Sequence, residues 1–249
     1  MNEDQFEQAI NFYKQNAHQL KGIGTLQEKI LHATLKHAYH EDNFNHEIKL
    51  NGYVVDLFID NKVIEIQTRQ FNKLRNKLNA LLLEYPITIV YPIPFIKYLS
   101  WIDPVTGECT KQRKSPKQGT IYDCVYELYK IKMFLNHPNL SIHLICIDIL
   151  EYRLLNGWSD DKKKGSWRND RIPLRYRNTI ELNEQKDYLS FLPIGLNDTF
   201  TSKDFMKHAK TTKRITQLTL NILQSLNIIE VIGKLVRLNL YKKYDFISN

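Results

Sequence analysis

Three cysteines in 249 residues, Cys109, Cys124 and Cys146, are too few and too scattered for a disulfide framework, and no Cys-x-x-Cys pair suggests structural zinc. Such usage predicts a reducing compartment. Long apolar runs are also missing, none approaching the roughly 20 residues a membrane span needs. The acidic, glutamine-rich start is unlike a signal peptide. The expectation is a cytoplasmic chain with no membrane partner. Acid is in deficit as well, 27 Asp and Glu against 35 Lys and Arg, for a net charge of +8. That excess favours a polyanionic partner but is silent about fold. The length is enough for a substantial core, in one large domain or two small ones.

What is present is organised around Tyr53–Arg69, YVVDLFIDNKVIEIQTR. Tyr53–Asp60 alternates as a strand, with Val55, Leu57 and Ile59 on one face and Val54, Asp56 and Phe58 on the other. Lys62–Thr68 repeats the pattern with Val63, Glu65 and Gln67 on one face. Asp60-Asn61 between them suits a two-residue type I′ hairpin, because both residues tolerate left-handed backbone. The register then sets Ile59 against Lys62, Phe58 against Val63 and Asp56 against Glu65. Opposed carboxylates about 5 Å apart at Cβ repel. A divalent cation held by Asp56, Glu65 and the carbonyl of Ile66 would relieve that repulsion with hard oxygen ligands.

A helix is predicted over Asp4–Gln19, with Phe6 and Ile10 on its apolar side. A second begins at Thr25, where Thr25 and Glu28 form a capping box, and continues to about Tyr39. Glu28 thus has two readings, helix cap and third carboxylate of the metal site. His32, one turn further on, reads as a partly exposed helix residue or as a group reaching the same site. His37, His40 and His46 match no zinc-ligand spacing and read as solvated surface. Phe44–Leu50 reads as an edge strand. After the hairpin comes an amphipathic helix over Phe71–Glu84, with Lys73, Arg75 and Lys77 on its outer face. Arg69 is placed for a bidentate phosphate contact. Ile87–Tyr91 and Ser141–Ile149 read as buried strands and Tyr122–Leu135 as a helix, giving an α/β pattern.

This order of elements, with Asp56 on one strand and Glu65-Ile66-Gln67 on the next, resembles the PD-(D/E)XK nuclease superfamily. The resemblance implies a restriction-endonuclease-like mixed sheet flanked by helices, over residues 1–180. It implies catalytic roles for Glu28, Asp56, Glu65 and Gln67, with Mg²⁺ as the cofactor and Mn²⁺ as its substitute. Gln67 stands where the family most often has lysine, and it can neither carry charge nor act as a base. The resemblance also implies a homodimer for cutting both strands, although no segment reads as its seam.

Two regions are rich in cations. Tyr98–Ile121 carries Lys111, Arg113, Lys114 and Lys117 and reads as a basic loop. Trp158–Arg177 mixes Lys and Arg with Trp158, Trp167 and Tyr176, and it too reads as a loop, with Arg168 and Arg171 as phosphate contacts. From residue 181 a second, α+β module is expected. Ser202 caps a short helix, a second helix begins near Thr212, and Ile228–Ile232 and Leu235–Tyr241 form a hairpin turning at Gly233-Lys234. This stretch resembles a winged helix-turn-helix, whose second helix enters the major groove of double-stranded DNA. The resemblance implies DNA contacts from Thr212, Lys213, Arg214, Gln217, Lys234 and Arg237, with Thr216 and Asn221 also facing outward. Most of the chain resembles a bacterial family that joins these two parts. The functional expectation is a metal-dependent DNA endonuclease of restriction or repair type. The alternative is a DNA-binding transcriptional regulator whose nuclease-like domain does not catalyse.

Overall fold

The computed structural model describes residues 2–20, 30–155 and 167–244. Local turn chemistry sets the first half of the sheet. Strand β1 (His46–Leu50) returns as β2 (Tyr53–Ile59) through Asn51 and Gly52, with φ of 47° and 82°. The turn from β2 to β3 (Lys62–Ile66) uses Asp60 and Asn61, both left-handed with φ of 47° and 60°. Ile59 pairs with Lys62 and Phe58 with Val63, the register that a type I′ loop dictates.

The remaining strands are β4 (Ile87–Ile102), the short β5 (Arg113–Lys114), β6 (Leu140–Leu154) and β7 (Trp167–Leu182). The sheet order is β1-β2-β3-β4-β6-β7, with β5 added to the edge of β4. Strands β3, β4 and β6 are parallel to one another, while β1–β2, β2–β3 and β6–β7 are antiparallel pairs. Helices cover both faces, as parallel strands require. On one side lie α1 (Glu3–Leu20) and α2 (Ile30–Tyr39), whose Phe6, Ile10, Leu31 and Leu35 bury Ile66, Val90, Ile145 and Ile147. On the other, α3 (Arg75–Leu81) and α4 (Val125–Lys130) bury Val63, Ile87, Ile89 and Ile142 under Leu78, Leu81, Val125 and Leu128. The fold is therefore a mixed α/β sheet between helical layers.

Two strands run further than their sequence patterns predict. β4 does not stop at Tyr91 but continues for 16 residues through Pro92 and Pro94. Strand β3 ends opposite Val90, so among the described residues no strand pairs with that edge of β4 at the prolines and a missing N–H costs no ladder bond on that side. β7 occupies Trp167–Leu182, in place of the expected basic loop, and pairs with β6 almost end to end.

The C-terminal part contains β8 (Thr199–Thr201), α5 (Ser202–Ala209), α6 (Lys213–Ser225), β9 (Ile229–Leu235) and β10 (Leu238–Lys243), with a small sheet in the order β8-β10-β9. Thr201, not Ser202, caps α5, exchanging hydrogen bonds with Asp204. Lys210, with φ of 50°, breaks the chain before α6. The hairpin turns at Val236-Arg237, and Lys234 lies within β9 opposite Asn239, so the turn expected at Gly233-Lys234 is corrected. Phe200, Phe205, Leu220 and Leu223 belong to the same buried cluster as the sheet residues Ile89 and Leu144. The expected boundary at 180 falls inside β7, and the two parts share a core. Among the described residues no helix is long and apolar enough to cross a membrane.

Candidate functional site

The regular ladder between β2 and β3 reaches Leu57–Ile64, and beyond it side chains take over the backbone bonding. Asp56 Oδ2 accepts a hydrogen bond of 2.7 Å from the Ile66 backbone N–H. The Asp56 backbone in turn bonds the Glu65 carboxylate. The two acids thus meet where the strands part. His32 of α2 brings Nε2 to 3.3 Å from Asp56 Oδ2. Lys77 of α3 donates to Glu65 Oε1 at 2.7 Å and to the Val54 carbonyl at 2.6 Å.

Glu65 has only 1% of its side chain exposed. Burial first, then the neighbouring Asp56 carboxylate, pushes its pKa up to about 7 against the opposing pull of Lys77. Helical spacing puts Lys77 on the solvated face of its helix. Instead its ammonium reaches under the helix to the buried acid, with 16% of the side chain exposed. The signal available in the sequence is the acid pair itself, since two opposed buried carboxylates need a cation beside them.

Gln67 lies just past β3, half-buried, and its backbone N–H bonds Val90. Arg69 is exposed on the bend that follows. Glu28 and Thr25 lie outside the described residues, so the third carboxylate is not placed. Among the described residues no group of three or more His, Cys, Asp and Glu side chains could hold a metal. Asp56 and Glu65 nonetheless supply the donor chemistry that suits Mg²⁺, which commonly takes one or two carboxylates and keeps several waters.

The expected phosphate contacts fare differently. Arg171 is not presented outward: its Nε lies 3.3 Å from Oε2 of Glu151, which is fully buried, and Arg153 binds the other oxygen at 2.6 Å. A buried carboxylate demands such compensation, and that need holds both guanidinium groups in place. Arg168 pairs through its backbone with Arg153 in the β6–β7 ladder, and its side chain lies outside what the structure describes.

In the C-terminal part Thr212 caps α6, accepting from Ile215 N–H at 3.4 Å, and Lys213, Arg214 and Gln217 are exposed beyond it. Thr216 is not outward but 1% exposed and bonded to Thr211. Arg214 stacks over Tyr126 of α4, its guanidinium carbon 5.2 Å from the ring centroid. Lys234 and Arg237 are exposed. The β9–β10 hairpin around them is largely apolar, however, with Ile232, Leu235 and Val236 at 47%, 57% and 90% exposure.

A mixed sheet flanked by helices, with an acid pair at the fork of two strands, is the class this chain defines. Residues 29–183, which include the whole acid pair, match the model of the family described as Domain of unknown function (DUF8091), and the chain belongs to that family. It is also similar to a Treponema pallidum (strain Nichols) protein described as uncharacterized, 26% identical over 167 residues that cover 67% of this chain and 64% of the relative. The chain therefore spans somewhat under two thirds of that relative's length. No solved structure matches.

Proposed function

We propose that the chain is a metal-dependent DNA endonuclease, of restriction or repair type, with a winged-helix module that adds affinity for double-stranded DNA. The observation that carries this reading is the meeting of Asp56 and Glu65 at the β2–β3 fork. The chain order α2-β1-β2-β3-α3-β4, which is the order a PD-(D/E)XK nuclease core needs, supports it. Asp56, Glu65 and the Ile66 carbonyl would hold Mg²⁺, or Mn²⁺ in its place. When bound, the ion acidifies a water and offsets charge building on the phosphate. Gln67 orients the attacking water by hydrogen bonding. Lys77 supplies beside Glu65 the positive charge that Gln67 lacks, and Arg69 steadies the scissile phosphate. His32 holds Asp56 from the α2 side.

A second reading is a DNA-binding regulator with a silent nuclease-like domain. Lys77 favours it, because an ammonium already neutralises Glu65 without any metal. Incubating supercoiled, linear and single-stranded DNA with Mg²⁺ or Mn²⁺ separates the two. The nuclease reading expects scission by the wild type and none by Asp56→Ala or Glu65→Ala. No scission by any protein, with duplex binding intact, selects the regulator, and equal scission by all three refutes this site.

A further inference from the structure

The outer surface of α3, α4 and α6 is rich in cations and poor in acids. No Asp or Glu occurs between Glu65 and Glu84, between Glu127 and Asp148, or between Asp204 and Glu230. These stretches carry all of α3 and α6 and the last three residues of α4, whose one acid is Glu127, and the fold lays the three helices side by side. Arg75 Nε donates to the Lys130 carbonyl at 2.6 Å, joining α3 to α4. Lys132 Nζ donates to Asn221 Oδ1 at 2.7 Å, joining the end of α4 to α6. The acid nearest the middle, Glu127, is turned inward, accepting from the Phe71 backbone and from Lys130.

Two aromatic rings stand among these cations. Tyr126 and Tyr129, three residues apart and so on one face of α4, are each 40% exposed. Arg214 covers Tyr126, and Lys132 sits 5.5 Å from the Tyr129 centroid. Each contact steadies a long cationic side chain near the surface while leaving its charge unneutralised. Cations of one sign interleaved with exposed rings are what a nucleic-acid strand needs, phosphates meeting the former and bases the latter. The same packing places α4 along one flank of α6. A single strand, whose bases are unpaired, can lay them on such rings.

We infer that the α3–α4–α6 face is a binding surface for single-stranded nucleic acid, with Lys73, Arg75, Lys132, Lys213 and Arg214 on the phosphates and Tyr126 and Tyr129 stacking on bases. Binding there is independent of catalysis at Asp56 and Glu65.

Fluorescence anisotropy with the full chain in EDTA tests it, using a labelled oligothymidylate and a mixed-sequence duplex of equal length. The wild type binds the single strand more tightly than the duplex. Lys132→Glu with Arg214→Glu weakens that binding by at least tenfold and lowers the salt slope by about 0.7 for each phosphate no longer neutralised. Tyr126→Ala and Tyr129→Ala each weaken it by about tenfold. Lys186→Glu, whose lysine is already paired with Glu184, leaves it unchanged. Thermal melting of each variant confirms that it is folded. Failure of the wild type to bind the single strand overturns the inference, as does wild-type affinity in the charge-reversed and tyrosine variants. So does tighter binding to the duplex that ignores both tyrosines. Scission that persists in the surface variants, or is absent from the wild type, bears only on the nuclease reading.

Discussion

Glu65 and Lys77 show what burial does to an ion pair. Taking the carboxylate out of water and setting Asp56 beside it both oppose ionisation, and Lys77 restores part of the loss. With a folded-state pKa raised to about 7, the folded chain holds a proton that the unfolded chain has already released between pH 4.5 and 7. The contribution of Glu65 to stability is therefore complete in acid and is lost as pH rises toward 7. Lys77→Met should cost about 3–5 kcal/mol at mildly alkaline pH, where an unpaired carboxylate would be left buried. Near pH 5 the loss should be much smaller, because Glu65 is then protonated in the fold. Urea unfolding at the two pH values measures the difference, and equal losses would mean that the pairing is not what Lys77 contributes. The acids themselves are legible in the sequence, since alternation and the Asp60-Asn61 turn place them. Lys77 is not, because helical spacing puts it outside and only the packing of α3 on the sheet brings its flexible stem back over Glu65.

Strand ends are harder to read than strand centres. Ile87–Tyr91 announces itself by its apolar run, but Pro92, Pro94 and the cations after them look like breakers, and only the edge beyond β3, where no described strand pairs with the prolines, explains why β4 continues. The segment after β5 is then seated by Gly119, whose N–H bonds the Phe95 carbonyl. A Cβ added there would lie 2.2 Å from the Pro94 carbonyl oxygen, a backbone atom that cannot swing away. Gly119→Ala is expected to cost about 1–3 kcal/mol, read as a lower midpoint in denaturant, and unchanged stability would mean that the segment is not held against β4 in this way. The β9–β10 hairpin shows the same limit. Gly233 marks a turn by composition, yet the chain turns at Val236, whose φ of 58° is costly for a β-branched residue. Strand pairing with β10 overrides local preference there.

At the scale of the whole molecule the expected two parts are real as sequence patterns but not as separate cores. Tyr188, Phe200, Phe205 and Leu223 pack in one cluster with Leu128 and Leu144, so the α5–α6 segment completes the layer over the sheet. Helical periodicity shows that α6 has a buried face, but it does not say against what. The shared core predicts a single cooperative heat-absorption peak for the full chain, with equal calorimetric and van't Hoff enthalpies. Two resolved peaks in differential scanning calorimetry would separate the parts. Charge is likewise a property of the whole. The three outer helices carry a single acid, the inward-turned Glu127, while cations remain, an arrangement spread along the chain that becomes one face only after folding.

A nuclease at the β2–β3 fork requires that fork to hold a cation, and isothermal titration of Mn²⁺ into the full chain tests that most directly. The wild type is expected to bind one ion, more tightly above pH 7 as Glu65 gives up its proton, and Asp56→Asn and Glu65→Gln are expected to abolish the heat. Identical heats from all three proteins, or none from the wild type across that pH range, would contradict it.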